Sequence, residues 1–196
     1  MTPRETVGLG ILAVVLGVGA GLQVALPAEM PTAAESQRIG WAPPETTEEL
    51  AHDLYTRIND ERRERGSGRL AWDDDLAALA REWSEHMVAT GEFEHSTDEF
   101  RRHPRYPGGT GENLALEPDT TAEAHVGLMR SDGHRRAILE PAFDAVGVGV
   151  VCRNDGVMWV TQIFGRSRAT PPEPDAAGVD FGEEPITRQY TGVACP

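Results

Sequence analysis

The sequence predicts an α+β domain, on two observations. Apolar residues spaced three or four apart fill segments between residue 45 and Leu139. From Val146 the period changes to that of strands, with a turn between two apolar runs. Helices first and a strand hairpin last is the order of an α+β chain. The domain is expected over residues 45–166, between an N-terminal membrane segment (1–26) with its spacer (27–44) and an irregular tail (167–196).

The elements follow in order. Val7 to Leu26 is apolar except for Gln23. Its length, about 30 Å as a helix, matches a bilayer core, and Arg4 before it favours a cytoplasmic N-terminus. The run reads as an uncleaved transmembrane anchor or as a cleaved signal peptide. Either way the domain is expected outside the cytoplasm, tethered to the cell membrane or secreted. Pro27 to Pro44 has a Pro/Ala/Thr-rich composition without apolar period, that of a spacer. Thr46-Thr47-Glu48-Glu49 has capping-box form and precedes Leu50, Leu54 and Ile58, the buried stripe of a first helix that Gly66 or Gly68 ends. Asp73 is a good cap for a second helix, with Leu76, Leu79, Ala80, Trp83 and Met87 on its apolar face and Gly91 at its end. A third helix is expected from Thr121 to Arg130, and Ser131 can cap a short fourth ending near Leu139. Val146–Val151 and Val157–Phe164, joined by Asn154-Asp155-Gly156, read as a strand hairpin.

Charge narrows the function. The 196 residues carry 18 Arg, no Lys and 32 acids, a net charge of −14. Residues 45–166 hold 14 Arg against 24 acids, so the surplus lies on the folded part and suits solubility in salt. Such a surface does not bind nucleic acid, which requires a basic stripe, nor dock by a polybasic patch on anionic lipid. Without Lys there is no P-loop lysine, Schiff base or Ser–Lys dyad. No His-Glu-x-x-His helix is present, and Gly66-Ser67-Gly68 lacks nucleophile-elbow spacing. Arg101-Arg102-His103-Pro104-Arg105-Tyr106 is a local basic run, expected to pair with nearby acids or to gather an anionic ligand. Cys152 and Cys195 are either free thiols or a disulfide, and export favours the disulfide.

Six short segments carry a resemblance. They are Leu70-Ala71-Trp72-Asp73, Phe93-Glu94-His95-Ser96, Gly111-Glu112-Asn113-Leu114, Ser131-Asp132-Gly133-His134-Arg135, Val146-Gly147-Val148-Gly149 and Trp159-Val160-Thr161-Gln162-Ile163-Phe164. In this order they resemble the CAP superfamily of cysteine-rich secretory, antigen 5 and pathogenesis-related 1 proteins, in its prokaryotic, SCP-like branch. The resemblance implies an α-β-α sandwich and a cleft that holds two His and two Glu in many eukaryotic members. His95 and Glu112 match two of those positions. Ser131 and Trp159 stand where the family has its second Glu and last His, and the prokaryotic pattern offers His134 instead.

His95, Glu112 and His134 are therefore the candidate metal ligands and catalytic groups, and Asn113 and Ser131 join them as candidate ligand contacts, with shaping of its turn the alternative for Asn113 and a helix cap the alternative for Ser131. Two imidazoles and a carboxylate suit zinc with one position open for water; calcium is the other divalent ion considered. The alternative for His95 and Glu112 is a hydrogen-bonded network that fixes the loops. The leading expectation is a cell-surface module that binds a small molecule, a lipid, a divalent metal or a cell-surface component. A metal-assisted hydrolase of peptide, ester or cell-wall substrates is second, and a surface domain without ligand is third.

Overall fold

A computed structural model describes residues 44–167, 179–182, 185 and 192–196. The apolar run at Val7–Leu26 and nearly all of the spacer lie outside the described residues. Among the described residues no helix is long and apolar enough to cross a membrane.

Among the described residues, four helices and four strands follow one another as α1 (Pro44–Glu64), β1 (Ala71–Trp72), α2 (Asp74–Thr90), β2 (Thr110–Leu116), α3 (Thr121–Arg130), α4 (Asp132–Leu139), β3 (Ala145–Cys152) and β4 (Met158–Gly165). The strands form one mixed sheet in the order β1-β3-β4-β2, with β1 parallel to β3 and the other pairs antiparallel. The helices and the β3–β4 hairpin appear as their periodicity predicts. β1 and β2 are additions. β1 spans two residues, too few to show a period, and β2 begins Thr-Gly-Glu-Asn, without the β-branched alternation of a strand.

Local chemistry sets the helix boundaries. α1 begins at Pro44, ahead of the capping-box segment, because proline fits a first turn where its missing N–H has no partner. Asp73 caps α2 through a bond from the Leu76 amide, and Gly91 ends it in the left-handed region at φ 74°. Thr120 caps α3 through the Glu123 amide. Ser131 occupies the cap position of α4, but its side chain makes no capping bond.

The two faces of the sheet are covered differently. Leu50, Leu54 and Ile58 of α1, Leu128 and Met129 of α3, and Ile138 and Leu139 of α4 pack on Val146, Val148, Val150, Val160 and Phe164. On the opposite face α2 brings Leu76, Ala80, Trp83 and Met87 against Ala145, Ile163, Val151 and Trp159. The result is the three-layer arrangement that the resemblance implies. Gly147 and Gly149 let α2 lie close to β3: a Cβ on either would stand 2.0 Å from the Ala77 amide or 2.1 Å from the Arg81 amide.

The C-terminal residues pack on the α1/α3/α4 face. Asp180 N bonds Arg65 O at 2.9 Å, and Arg135 Nε donates to Phe181 O at 2.9 Å. Thr121 N bonds Val193 O, and Thr121 Oγ1 accepts from Val193 N at 3.0 Å. Cys195 then joins Cys152 in a disulfide. The expected bridge is thus formed.

His125 on α3 is fully buried. Its Nε2 lies 3.6 Å from Glu61 Oε2, beyond hydrogen-bonding distance, while Arg65 Nε donates to Glu61 Oε1 at 2.5 Å. Burial holds the His125 imidazole below the ordinary histidine range. The unfolded chain takes up a proton near pH 6.5 that the folded chain resists, so acidification through about that pH favours unfolding. The melting temperature is expected to fall more steeply between about pH 7.5 and 5.5 in the wild type than in His125→Phe. Parallel curves would remove His125 as the cause.

Candidate functional site

The site begins with the alternation of β2. Glu112 pairs with Ile163 and points to the α2 face, while Asn113 pairs with Gln162 and points to the other. After Gly91 the chain turns back over β2, tied by a bond from Trp83 Nε1 to Glu94 O at 2.9 Å. This places His95 and Ser96 against the Glu112 carboxylate. Oε1 accepts from the Ser96 amide at 2.9 Å and pairs with His95 Nδ1 at 2.8 Å; Oε2 accepts from Ser96 Oγ at 2.5 Å. Arg101 Nη1 lies 3.6 Å from Oε1 and donates to Ser96 Oγ at 2.8 Å. The Glu112 side chain is 2% exposed and that of His95 60%. The carboxylate is a buried anchor, and the imidazole is held by Nδ1 with Nε2 left for another partner.

His134 lies in the first turn of α4 and is half-buried. Burial, and next the neighbouring His95, hold it below the ordinary histidine range, so the two rings are electrostatic neighbours and His134 is neutral at pH 7. Asn113 is buried: Nδ2 donates to His134 O at 3.1 Å and to Gln162 Oε1 at 3.2 Å. Strand alternation turns it away from Glu112, and it positions the α4 turn that carries His134. Ser131, half-buried in the same turn, is linked to it by a backbone bond from Arg135 N at 2.8 Å. Trp159 is core: it packs with Trp83, Met87 and Leu114, and Phe93 meets it edge-on at 6.2 Å. Its indole N–H has no partner among the described residues. Phe93 itself is 47% exposed.

Two observations bear on the metal expectation. Among the described residues no three His, Cys, Asp or Glu side chains are grouped closely enough to hold one ion. Glu112 also has both oxygens engaged by donors. The His95–Glu112–His134 set does not fit as a three-ligand metal centre in this arrangement. Ser96 and Arg101 receive no site role from the sequence. Ser96 stands next to His95 in its motif, and Arg101 belongs to the basic run; neither position shows which carboxylate its donors meet. Elsewhere in that run Arg105 lies 2.5 Å from Asp73 and 2.6 Å from Asp75, and His103 3.5 Å from Asp75, the expected pairing with nearby acids. Burial opposes ionisation of Asp73, but bonds from Tyr106, the Leu76 amide and Arg105 outweigh it and hold the carboxyl below its ordinary range.

A mixed sheet between helical layers, with a His–Glu pair where a loop crosses its edge strand, defines a CAP domain. The model of the cysteine-rich secretory protein family matches residues 55–164, and the chain belongs to that family. The YkwD protein of Bacillus subtilis (strain 168) is 29% identical over 143 residues, 69% of this chain and 55% of the relative, so the chain spans about half the length of that relative. An outer surface protein from Borrelia burgdorferi shares the fold with a TM-score of 0.59 at 19% identity, over 65% of this chain and 98% of that one. An extracellular SCP-domain protein from Bacillus anthracis str. Ames aligns with a TM-score of 0.51 at 23% identity, over 69% and 44%. The chain is of the bacterial type.

Proposed function

We propose that this chain is an extracytoplasmic CAP domain that binds a small amphipathic ligand at the His95–His134 rim. The observation that carries the reading is the Glu112 clamp. A carboxylate with three hydrogen bonds spends its acceptors on fixing the loop. It is a positioning group for His95, not a free general base. The rim offers His95 and the neutral His134 for hydrogen bonds, and exposed Phe93, two residues before His95, for apolar contact. This favours a binding module over a metal-assisted hydrolase. Export is supported by the Cys152–Cys195 disulfide, which persists in oxidising compartments, and by the apolar run at Val7–Leu26, read as anchor or signal.

The test uses the purified chain titrated with a dansylated medium-chain fatty acid as the amphipathic probe. His95→Ala and Phe93→Ala are expected to weaken binding about tenfold or more; Phe93→Ala should change stability by under about 0.5 kcal/mol and His95→Ala by about 1 kcal/mol, because the latter removes one hydrogen bond to the buried Glu112 carboxylate. Glu112→Gln is expected to weaken binding and also to destabilise by about 2 kcal/mol, because it breaks charge-assisted bonds to buried donors. Unchanged affinity in His95→Ala and His134→Ala would end this reading.

A further inference from the structure

The outer edge of β3 is covered for only part of its length. β3 spans eight residues, but β1 pairs with it only at Ala145 and Val146. Beyond that point the N–H and C=O groups of Val148 and Val150 point away from β4. Two bonds fix this alternation. Asp73 N donates to Val146 O on the β1 side, and at the hairpin end Arg153 N donates to Val157 O on the β4 side. Even-numbered positions of β3 therefore face outward. Among the described residues no strand, turn or side-chain bond reaches the outward groups of Val148 and Val150, and each of these residues is 2% exposed. Buried backbone groups without partners are rare, because each carries a desolvation cost that water or a ligand usually removes.

Val148, Gly149 and Val150 line a groove of about 330 Å³, together with Thr47 of α1. Its walls are Glu48 and Ala51 of α1 and Ala77, Ala78 and Arg81 of α2, with Trp72 at the end where β1 stops. The three alanines leave room for a backbone to come within a strand spacing of about 4.8 Å. The ionised rim is acidic on balance. Glu48 and Asp74 line the groove, and Arg81 lies 3.8 Å from Glu85. The whole chain carries −14, which adds long-range attraction for a cation.

We propose that this groove accepts an extended basic peptide segment of a partner polypeptide, which adds a strand to the free edge of β3 in line with β1. Main-chain bonds to Val148 and Val150 supply the pairing, and a basic side chain faces Glu48 and Asp74; this is strand addition to a sheet edge. The proposal is independent of the His95–His134 rim.

The experiment is hydrogen exchange and chemical-shift mapping of the full ¹⁵N-labelled chain, titrated with a capped hexapeptide of alternating Arg and Val. Two controls are used: the same peptide N-methylated at alternate amides, and the variant Ala78→Arg, which fills the exposed wall with like charge. Expected are saturable binding, slowed exchange at the Val148 and Val150 amides, and an affinity at least tenfold weaker in each control, with the melting temperature of Ala78→Arg unchanged. Four results would overturn the proposal. One is no saturable binding. Another is equal binding of the N-methylated peptide. The third is amides already protected in the free chain and released when residues 1–43 are removed, which would make the occupant part of this chain. The fourth is protection that rises with chain concentration, which would make it a second copy.

Discussion

Replacing Cys195 with Ser is expected to lower the stability of the domain by about 4 kcal/mol, the chain-entropy value for a loop of 43 residues. For a domain of this size that is a fall of about 15 °C in melting temperature. The effect has two parts. The bridge restrains the unfolded chain, and it holds the Gly192–Pro196 segment where Val193 exchanges bonds with Thr121. Gly192 shows how close that segment lies: a Cβ there would stand 2.4 Å from the Ala122 amide. Loss of the bridge should therefore speed amide exchange in the first turn of α3 as well as lower the midpoint. Thermal unfolding with and without a reductant measures the first part, and exchange at Thr121 and Val193 measures the second. A shift under about 1 kcal/mol, with both amides still protected, would mean that the packing of the tail holds without the covalent link.

Gly147→Ala is expected to be at least as severe. The added methyl would stand 2.0 Å from Ala77 N and 2.2 Å from Leu76 C, which are backbone atoms of a helix and cannot rotate away. α2 would have to lift from β3, opening the contacts of Leu76 and Ala80 with Ala145 and Ile163. Overpacking typically costs about 1–3 kcal/mol where side chains can adjust, so a rigid backbone obstacle belongs at or above the upper end. Gly133→Ala is the control, since nothing lies within 4 Å of its added Cβ. It should be neutral or slightly stabilising, because Gly is the poorer helix former. Equal stability of the two variants would contradict the close approach of α2 to the sheet.

The parts of the fold legible in the sequence are those set by neighbours along the chain. Asp73 and Gly91 delimit α2 because capping is chemistry within one turn, and the β3–β4 hairpin is marked by Asn154-Asp155-Gly156. β2 is not legible as a strand. Glu112 and Asn113 are poor strand formers, and what makes them a strand is β4, whose Ile163 and Gln162 lie opposite. The same limit governs the site. The order of short motifs points to His95 and Glu112, but their 2.8 Å contact depends on a loop crossing the sheet edge. Ser96 and Arg101 complete the clamp for that reason and for no local one. Asn113 falls on the opposite face of the strand from Glu112, and which face each takes follows from register, which the sequence of β2 alone does not show. The burial of His125 depends on how α3 meets α1, which its own helix does not show either.

The pairing of β1 with β3 also bears on the order of folding. Ala71 lies beside Ala145 and Trp72 beside Val146, so this two-residue ladder joins the start of the domain to its final hairpin. Everything between, including the loop that clamps Glu112, is enclosed in that closure. β3 and β4 can form first as a local hairpin within microseconds. The β1 contact needs two distant parts of the chain to meet, and contacts of long sequence separation slow folding. The hairpin is therefore expected to act as the template on which β1 and α2 dock late, and the clamp around Glu112 to close with them.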